Sequence, residues 1–187
     1  MKVEPTRIPD VKLIIPQRFG DERGWFSETW NAARMAEAGL DHAFMQDNHS
    51  LSARAYTLRG LHCQAPPFAQ TKLVRAPRGR VLDVAVDIRP RSPTYLEWVA
   101  VELTAAVGEQ LLIPQGFLHG FLTLEPETEV MYKVDAPYSR DADRAIRFDD
   151  PEIGVDWGVE TDQITLSEKD AAAPLLKDWT NPFGNLP

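Results

Sequence analysis

Proline is the residue that most limits what this chain can fold into. Fifteen prolines run from Pro5 to Pro187 and outnumber the eleven glycines. Each lacks a backbone N–H and fixes its own φ, so it interrupts helix interiors and central strands. A chain broken this often must be built from short elements. The best helix is residues 31–38, NAARMAEA, rich in good helix formers and followed by Gly39 as a stop. A second short helix is expected from Ser167, where Ser-Glu-Lys-Asp supplies an N-cap and early acidic residues. The middle of the chain alternates with period two. In residues 81–88, VLDVAVDI, one face carries Leu82, Val84, Val86 and Ile88, and the other Val81, Asp83, Ala85 and Asp87. Similar runs fall at 96–103, 110–113, 120–124, 129–134 and 145–148. Pro- and Gly-containing turns separate them at 77–79, 90–93, 114–116 and 125–127. Many short strands at near-regular spacing predict an all-β antiparallel sandwich or barrel. The tail, 179–187, is Pro/Asn/Gly-rich and reads as irregular.

The 187 residues give room for one domain, since domains run about 100–200 residues. The expected division is a core of about 45–150, an N-terminal extension 1–44 with strands and one short helix, and an irregular or helical segment 151–187. A chain of this length buries roughly 70% of its unfolded surface and needs no disulfide. Cys63, the single cysteine, could not form one internally. The 20 Lys+Arg stand against 28 Asp+Glu, a net charge of -8 that disfavours nucleic acid and anionic membranes. The start, MKVEPTRIPD, has no apolar stretch of a secretory signal, and no run approaches the ~18–20 residues of a membrane helix. The expectation is a cytoplasmic protein.

Of four histidines, His42 and His49 lie in polar, loop-like sequence, whereas His62 and His119 have unusual settings. In LRGLHCQAPP, alternation puts Gly60, His62 and Gln64 on one face and Arg59, Leu61 and Cys63 on the other. A glycine within a strand invites a bulge, which would bring Arg59 round to the side of His62. His119 closes a G-x5-P-x-G-x2-H pattern with Gly108, Pro114 and Gly116. That pattern resembles the second motif of the cupin superfamily. Metal-binding cupins carry a His-x-His pair in their first motif; here Gln64 stands two residues after His62, and no metal site is expected. Tyr132 shares a strand face with Val130 and Val134, beside Lys133. Lys72, taken alone, reads as a solvated lysine; inside a barrel it would need an anionic partner or a function.

Together these segments resemble the dTDP-4-dehydrorhamnose 3,5-epimerase family over nearly the whole chain, from about Phe19 to Asp170. The matching pieces are FGDERGWFSE at 19–28, QDNHS at 46–50, LRGLH at 58–62 with Gln64, and KLV at 72–74. DVAVDIR at 83–89, IPQGF at 113–117 with His119-Gly120-Phe121, Tyr132-Lys133, Leu166-Ser167 and Lys169-Asp170 complete them. No one motif is specific; the ordered combination is. The resemblance implies a cupin jelly roll (double-stranded β-helix) with a few short peripheral helices. It implies a homodimer that exchanges edge strands and works without metal or cofactor. The implied substrate is dTDP-4-keto-6-deoxyglucose, inverted at C3 and C5 to dTDP-4-keto-rhamnose.

The same resemblance makes His62 the base, Asp170 its hydrogen-bonding partner, Lys72 the donor to the C4 oxygen and Tyr132 the acid on the opposite face. His119 and Arg59 would hold the sugar. Arg23, Arg59 and Lys169 match diphosphate-contacting positions, and Gln46 and Asn48 polar contacts to the nucleotide-sugar. Phe19 and Tyr138 match aromatic groups around the base, and Glu28 a partner of thymine. Some of these come from the neighbouring subunit in the family. Two positions depart from the pattern: Cys63 replaces an aromatic, read as a packing change, and Asp143 stands where Glu is common. The alternatives are a single-site 3- or 5-epimerase of another dTDP-4-keto-deoxysugar and a non-catalytic sugar-binding cupin. A net charge of -8 does not exclude a small anionic substrate if Arg23, Arg59, Lys72 and Lys169 converge.

Overall fold

The computed structural model describes residues 1–184. Thirteen short strands form two facing sheets and one hairpin. From the N-terminus they are β1 (Lys2–Pro5), β2 (Lys12–Ile15), β3 (Arg18–Asp21), β4 (Gly24–Ser27), β5 (Gln46–Ser52) and β6 (Leu58–Gln64). Then follow β7 (Lys72–Arg78), β8 (Arg80–Asp87), β9 (Trp98–Thr104), β10 (Gln110–Ile113), β11 (Phe117–Thr123), β12 (Thr128–Val134) and β13 (Asp143–Ala145). One sheet runs β1-β2-β10-β7-β12-β5 and the other β13-β6-β11-β8-β9, while β3 and β4 pair only with each other. All pairings between these strands are antiparallel. This is the all-β jelly roll expected from the sequence.

Alternation divides the apolar residues among three clusters. Val81 and Ala85 of β8, Phe117 and Phe121 of β11, and Val74 and Ala76 of β7 fill the space between the sheets. The opposite face of β8 and β6, with Val84, Val86, Leu61 and Cys63, packs against Ile153, Trp157 and Phe183 of the C-terminal segment. The outer face of the other sheet, with Ile14, Leu73 and Leu112, is covered by Met35. Met35 belongs to α1 (Ala32–Glu37), whose N-cap Asn31 accepts a hydrogen bond from the Arg34 N–H. Fully burying one such aliphatic side chain contributes about 1.5–3 kcal/mol.

Three features position the site. First, β6 is bulged against β11: His62 lies opposite His119 and Arg59 opposite Phe121, so three steps on β6 match two on β11. Arg59 and His62 therefore face the same way, as the glycine in that strand predicted. Gly60 has φ +128°, and a Cβ there would sit 2.5 Å from Gly120 Cα and 2.8 Å from the His119 carbonyl oxygen. Only glycine permits that approach of the two backbones. Second, Lys72 shares the inward face of β7 with Val74, while Leu73 points outward. The reading of Lys72 as a solvated surface residue is thus replaced. Third, the C-terminal segment is tied to the start of β6: Leu58 N–H donates to Thr165 O at 3.0 Å, and Thr165 N–H to Tyr56 O at 2.8 Å. Just beyond, Ser167 caps α2 (Glu168–Ala171) by accepting from the Asp170 N–H at 3.1 Å.

Several boundaries differ from the sequence reading; the strand expected at 120–124 already begins at Phe117. The run expected at 145–148 is a strand only over Asp143–Ala145. Ile146 still exchanges backbone hydrogen bonds with Leu61, but Arg147 N–H turns away to Pro174 O. The run expected from residue 96 begins at Trp98, because Leu96 sits in the left-handed region at φ 64°. The irregular tail is found over 179–184; residues 185–187 lie outside the described residues. Among the described residues, no helix is long and apolar enough to cross a membrane.

Candidate active site

A cavity of about 410 Å³ opens between the sheets. Its walls come from Ser50 of β5, Arg59 and His62 of β6, Lys72 of β7, His119 of β11, Tyr132 of β12, and Ser167 and Asp170. Four residues singled out from the sequence for proton transfer, 62, 72, 132 and 170, therefore share one cavity, with Arg59 and His119 beside them. His62 and Tyr132 belong to different sheets and both line this cavity.

His62 Nε2 lies 2.5 Å from Asp170 Oδ1. Burial alone would raise the Asp170 pKa, but the hydrogen bond and charge of His62, aided by Ser167 and Lys169, outweigh it. The carboxyl is held below the usual 3.8. An ionised carboxylate can only accept, so the proton belongs on Nε2 and the lone pair of a neutral His62 on Nδ1. That is the arrangement of a histidine base oriented by a carboxylate. The His62 side chain is 28% exposed and Asp170 only 5%, so the ring reaches the cavity while its partner is shielded.

Burial sets the other groups. It lowers the Lys72 pKa from 10.5, opposed by the nearby carboxylates Asp83 and Asp143. It raises the Tyr132 pKa above 10.0, so the phenol keeps its proton. It lowers the His119 pKa, which leaves a neutral imidazole, with Nε2 2.6 Å from Asp83 Oδ1. The thiol of Cys63 is pushed up to about 12 by burial and stays protonated in its apolar cluster. This agrees with its reading as a packing residue.

A second cavity of about 180 Å³ shares His62, Lys72 and Tyr132 with the first and gathers Gln46, Asn48, Tyr138, Asp143 and Lys169. Gln46 Nε2 donates to Asn48 Oδ1 at 2.9 Å, and the Tyr138 hydroxyl to Asp143 Oδ2 at 3.3 Å. Asp143 also pairs with Lys169, whose pKa burial would lower but which that contact raises. Two of the sequence candidates, Phe19 and Arg23, are not brought in, whereas Glu28 lines a further cavity of about 180 Å³ together with Tyr132 and Lys133. Phe19 lines a separate shallow cleft with Arg34. Arg23, at the β3–β4 turn, contacts Asp21. Conversely, Ser50, Thr57 and Ser167 line the main cavity without having been singled out. Ser50 and Ser167 fell within matched motifs, which was the available signal; Thr57 had none. Among the described residues, no group of three or more His, Cys, Asp or Glu side chains is arranged to hold a metal ion.

Residues 5–178 match the family model described as dTDP-4-dehydrorhamnose 3,5-epimerase. The chain belongs to that family. A dTDP-4-dehydrorhamnose 3,5-epimerase from Sinorhizobium fredii is 51% identical over 180 residues, covering 94% of this chain and 90% of the relative. A Bacillus anthracis dTDP-4-dehydrorhamnose 3,5-epimerase, solved with TDP and PPi bound, superposes with a TM-score of 0.90 at 47% identity. That match covers 94% of this chain and 99% of the other. A Legionella pneumophila dTDP-6-deoxy-D-glucose-3,5-epimerase, in complex with dTDP-4-keto-L-rhamnose, is 42% identical with a TM-score of 0.89. It covers 94% of this chain and 93% of that one. The two positions read from the sequence as departures from the dTDP-4-dehydrorhamnose 3,5-epimerase pattern are Cys63 and Asp143. Cys63 packs among the apolar residues of β6 and the C-terminal segment, and Asp143 pairs with Lys169.

Proposed function

We propose that this protein epimerises dTDP-4-dehydro-6-deoxy-D-glucose at C3 and C5, giving dTDP-4-dehydro-L-rhamnose. The observation that carries the reading is the His62–Asp170 pair lining one cavity with Tyr132, on the other sheet, and Lys72. C3 and C5 are both α to the C4 ketone, so loss of either proton gives an enolate if its oxygen is stabilised. His62 Nδ1 takes the proton, and Asp170 stabilises the imidazolium that forms. Lys72 donates to the C4 oxygen; one such donor in a water-poor site contributes about 3 kcal/mol to the barrier reduction. Inversion needs a proton from the other face, which Tyr132, protonated and on the opposite sheet, is suited to give. His119 and Arg59 hold the sugar, and Arg59 and Lys169 meet the diphosphate. Gln46 and Asn48 contact the nucleotide-sugar, and Tyr138 stacks on the base. No cofactor enters this chemistry. Incubating the protein with the substrate in deuterated water is expected to place deuterium at both C3 and C5. Deuterium at neither carbon would sink the reading, and deuterium at one carbon would replace it with a single-site epimerase.

Phe19 and Arg23 fit this reading as residues given to the partner subunit's site in a homodimer, and Glu28, in a cavity that Tyr132 also lines, as a contact of the thymine. The β3–β4 hairpin leaves Phe19, Trp25 and Phe26 more than half exposed, an apolar surface that a second copy would cover. β5 also ends its sheet with only β12 as a neighbour, an open edge suited to strand exchange. Light scattering is expected to give about twice the 21.0 kDa of one chain. A monomer at micromolar concentration would rule this arrangement out.

A further inference from the structure

Asp83 does not line the cavity but stands behind His119, which does. It is fully buried on the inward face of β8. One carboxylate oxygen takes the His119 Nε2–H at 2.6 Å. The other, Oδ2, is buried with no hydrogen-bond partner among the described residues. A buried carboxylate oxygen left unpaired is costly, and such exceptions in a folded protein call for a reason.

The reason lies on the facing strand. Lys72, on β7, points into the same interior, where burial disfavours its ammonium form. The groups acting on it are Cys63 of β6, Asp83 of β8 and Asp143 of β13, while His62, His119, Tyr132, Arg59 and Asp170 share its cavity. The Cys63 thiol, its pKa pushed up to about 12 by burial, is neutral. Asp143 is engaged with Lys169 and with the Tyr138 hydroxyl. Asp83 is the fully buried carboxylate of this group, and its contact is with His119 rather than with Lys72. The separation has a consequence. A carboxylate in contact would occupy a lysine N–H and compete with a substrate oxygen. One held back by a histidine still supplies negative potential through a medium of low dielectric, and leaves the ammonium donors free.

We propose that Asp83 is a positioning residue: anchored by His119, it keeps Lys72 charged without taking any of its N–H donors, and fixes His119 with its proton on Nε2. This rests on the epimerase reading, in which Lys72 meets the C4 oxygen. In Asp83→Asn the amide oxygen can still accept from His119, so the shape is kept and the charge is lost. Lys72 then gives up its proton at lower pH. The alkaline limb of the kcat profile is expected to move to lower pH, and kcat at pH 8 to fall about thirtyfold with KM within about threefold. An unmoved alkaline limb, or a loss carried by KM alone, would overturn the inference. If the variant does not fold, nitrogen-15 histidine NMR of the unaltered protein decides. A neutral His119 protonated on Nε2 from pH 6 to 8 supports the assignment, and an imidazolium or an Nδ1–H tautomer overturns it. No deuterium incorporation by the unaltered protein would instead mark failure of the epimerase reading itself.

Discussion

Replacing His62 with Gln is expected to lower kcat by about 10³–10⁴-fold while leaving the protein folded. Loss of a positioned general base typically removes about 10²–10⁴ of rate. The upper part of that range applies because the same ring serves both carbons. Glutamine is the informative substitution. Its Nε2 can stand near the place of the imidazole Nε2 and still donate to Asp170, which is otherwise left as a buried carboxylate. An alanine there would mix lost catalysis with about 1–3 kcal/mol of lost stability from the stranded carboxylate. Asp170→Asn, which keeps the base but loses its orienting charge, is expected to cost about 10²-fold. Because the two act as one unit, the double variant should be no slower than His62→Gln alone. Deuterium exchange at C3 and C5 measures all three. Independent, multiplying losses would show that His62 and Asp170 do not work as a pair.

Lys72→Met is the second large effect, an expected loss of about 10²–10³ in kcat. The ammonium contributes about 3–4 kcal/mol only when the enolate oxygen develops its charge, so the loss falls on kcat more than on KM. The sign of the pH effect follows from the lowered pKa of Lys72. The donor is lost as pH rises through that value, which gives the wild-type rate an alkaline limb that Lys72→Met removes. Stability moves the other way. A lysine whose folded pKa lies below its unfolded one binds its proton more weakly in the native state, and so costs stability at every pH below the folded value. The uncharged methionine, of similar length, removes that cost, and the midpoint of thermal unfolding at pH 7 should stay level or rise. A variant that lost both activity and stability would mean that Lys72 serves chiefly to hold the fold.

The division between what was readable and what was not is clearest on β6 and β7. On β6 the alternation of LRGLHCQ correctly put His62 and Cys63 on opposite faces. The glycine correctly marked the bulge that turns Arg59 inward. Those are local rules of period and sterics. On β7 the same rules could not say which face was buried, because shifting a strand by one residue exchanges its faces. Only the packing of Leu73 beneath α1 and of Val74 between the sheets settles that Lys72 points inward. The hairpin of Phe19 and Arg23 is similar. Its residues were recognisable, but within one chain they stand away from the cavity.

Sequence by itself determined the short antiparallel strands, through proline spacing and period-two alternation. It also determined the two short helices and, through its ordered motifs, the candidates His62, Lys72, Tyr132 and Asp170 that line the cavity. It did not determine which groups would touch. His62 meets Asp170 across 108 residues of chain, and His119 meets Asp83 across 36. The first pair was anticipated by resemblance, whereas the second came only from the structure. Asp83 looked like one polar residue in an alternating strand. Its role appears only when β11 is laid beside β8 and β7 is folded over them, because burial and charge coupling depend on what surrounds a group in space.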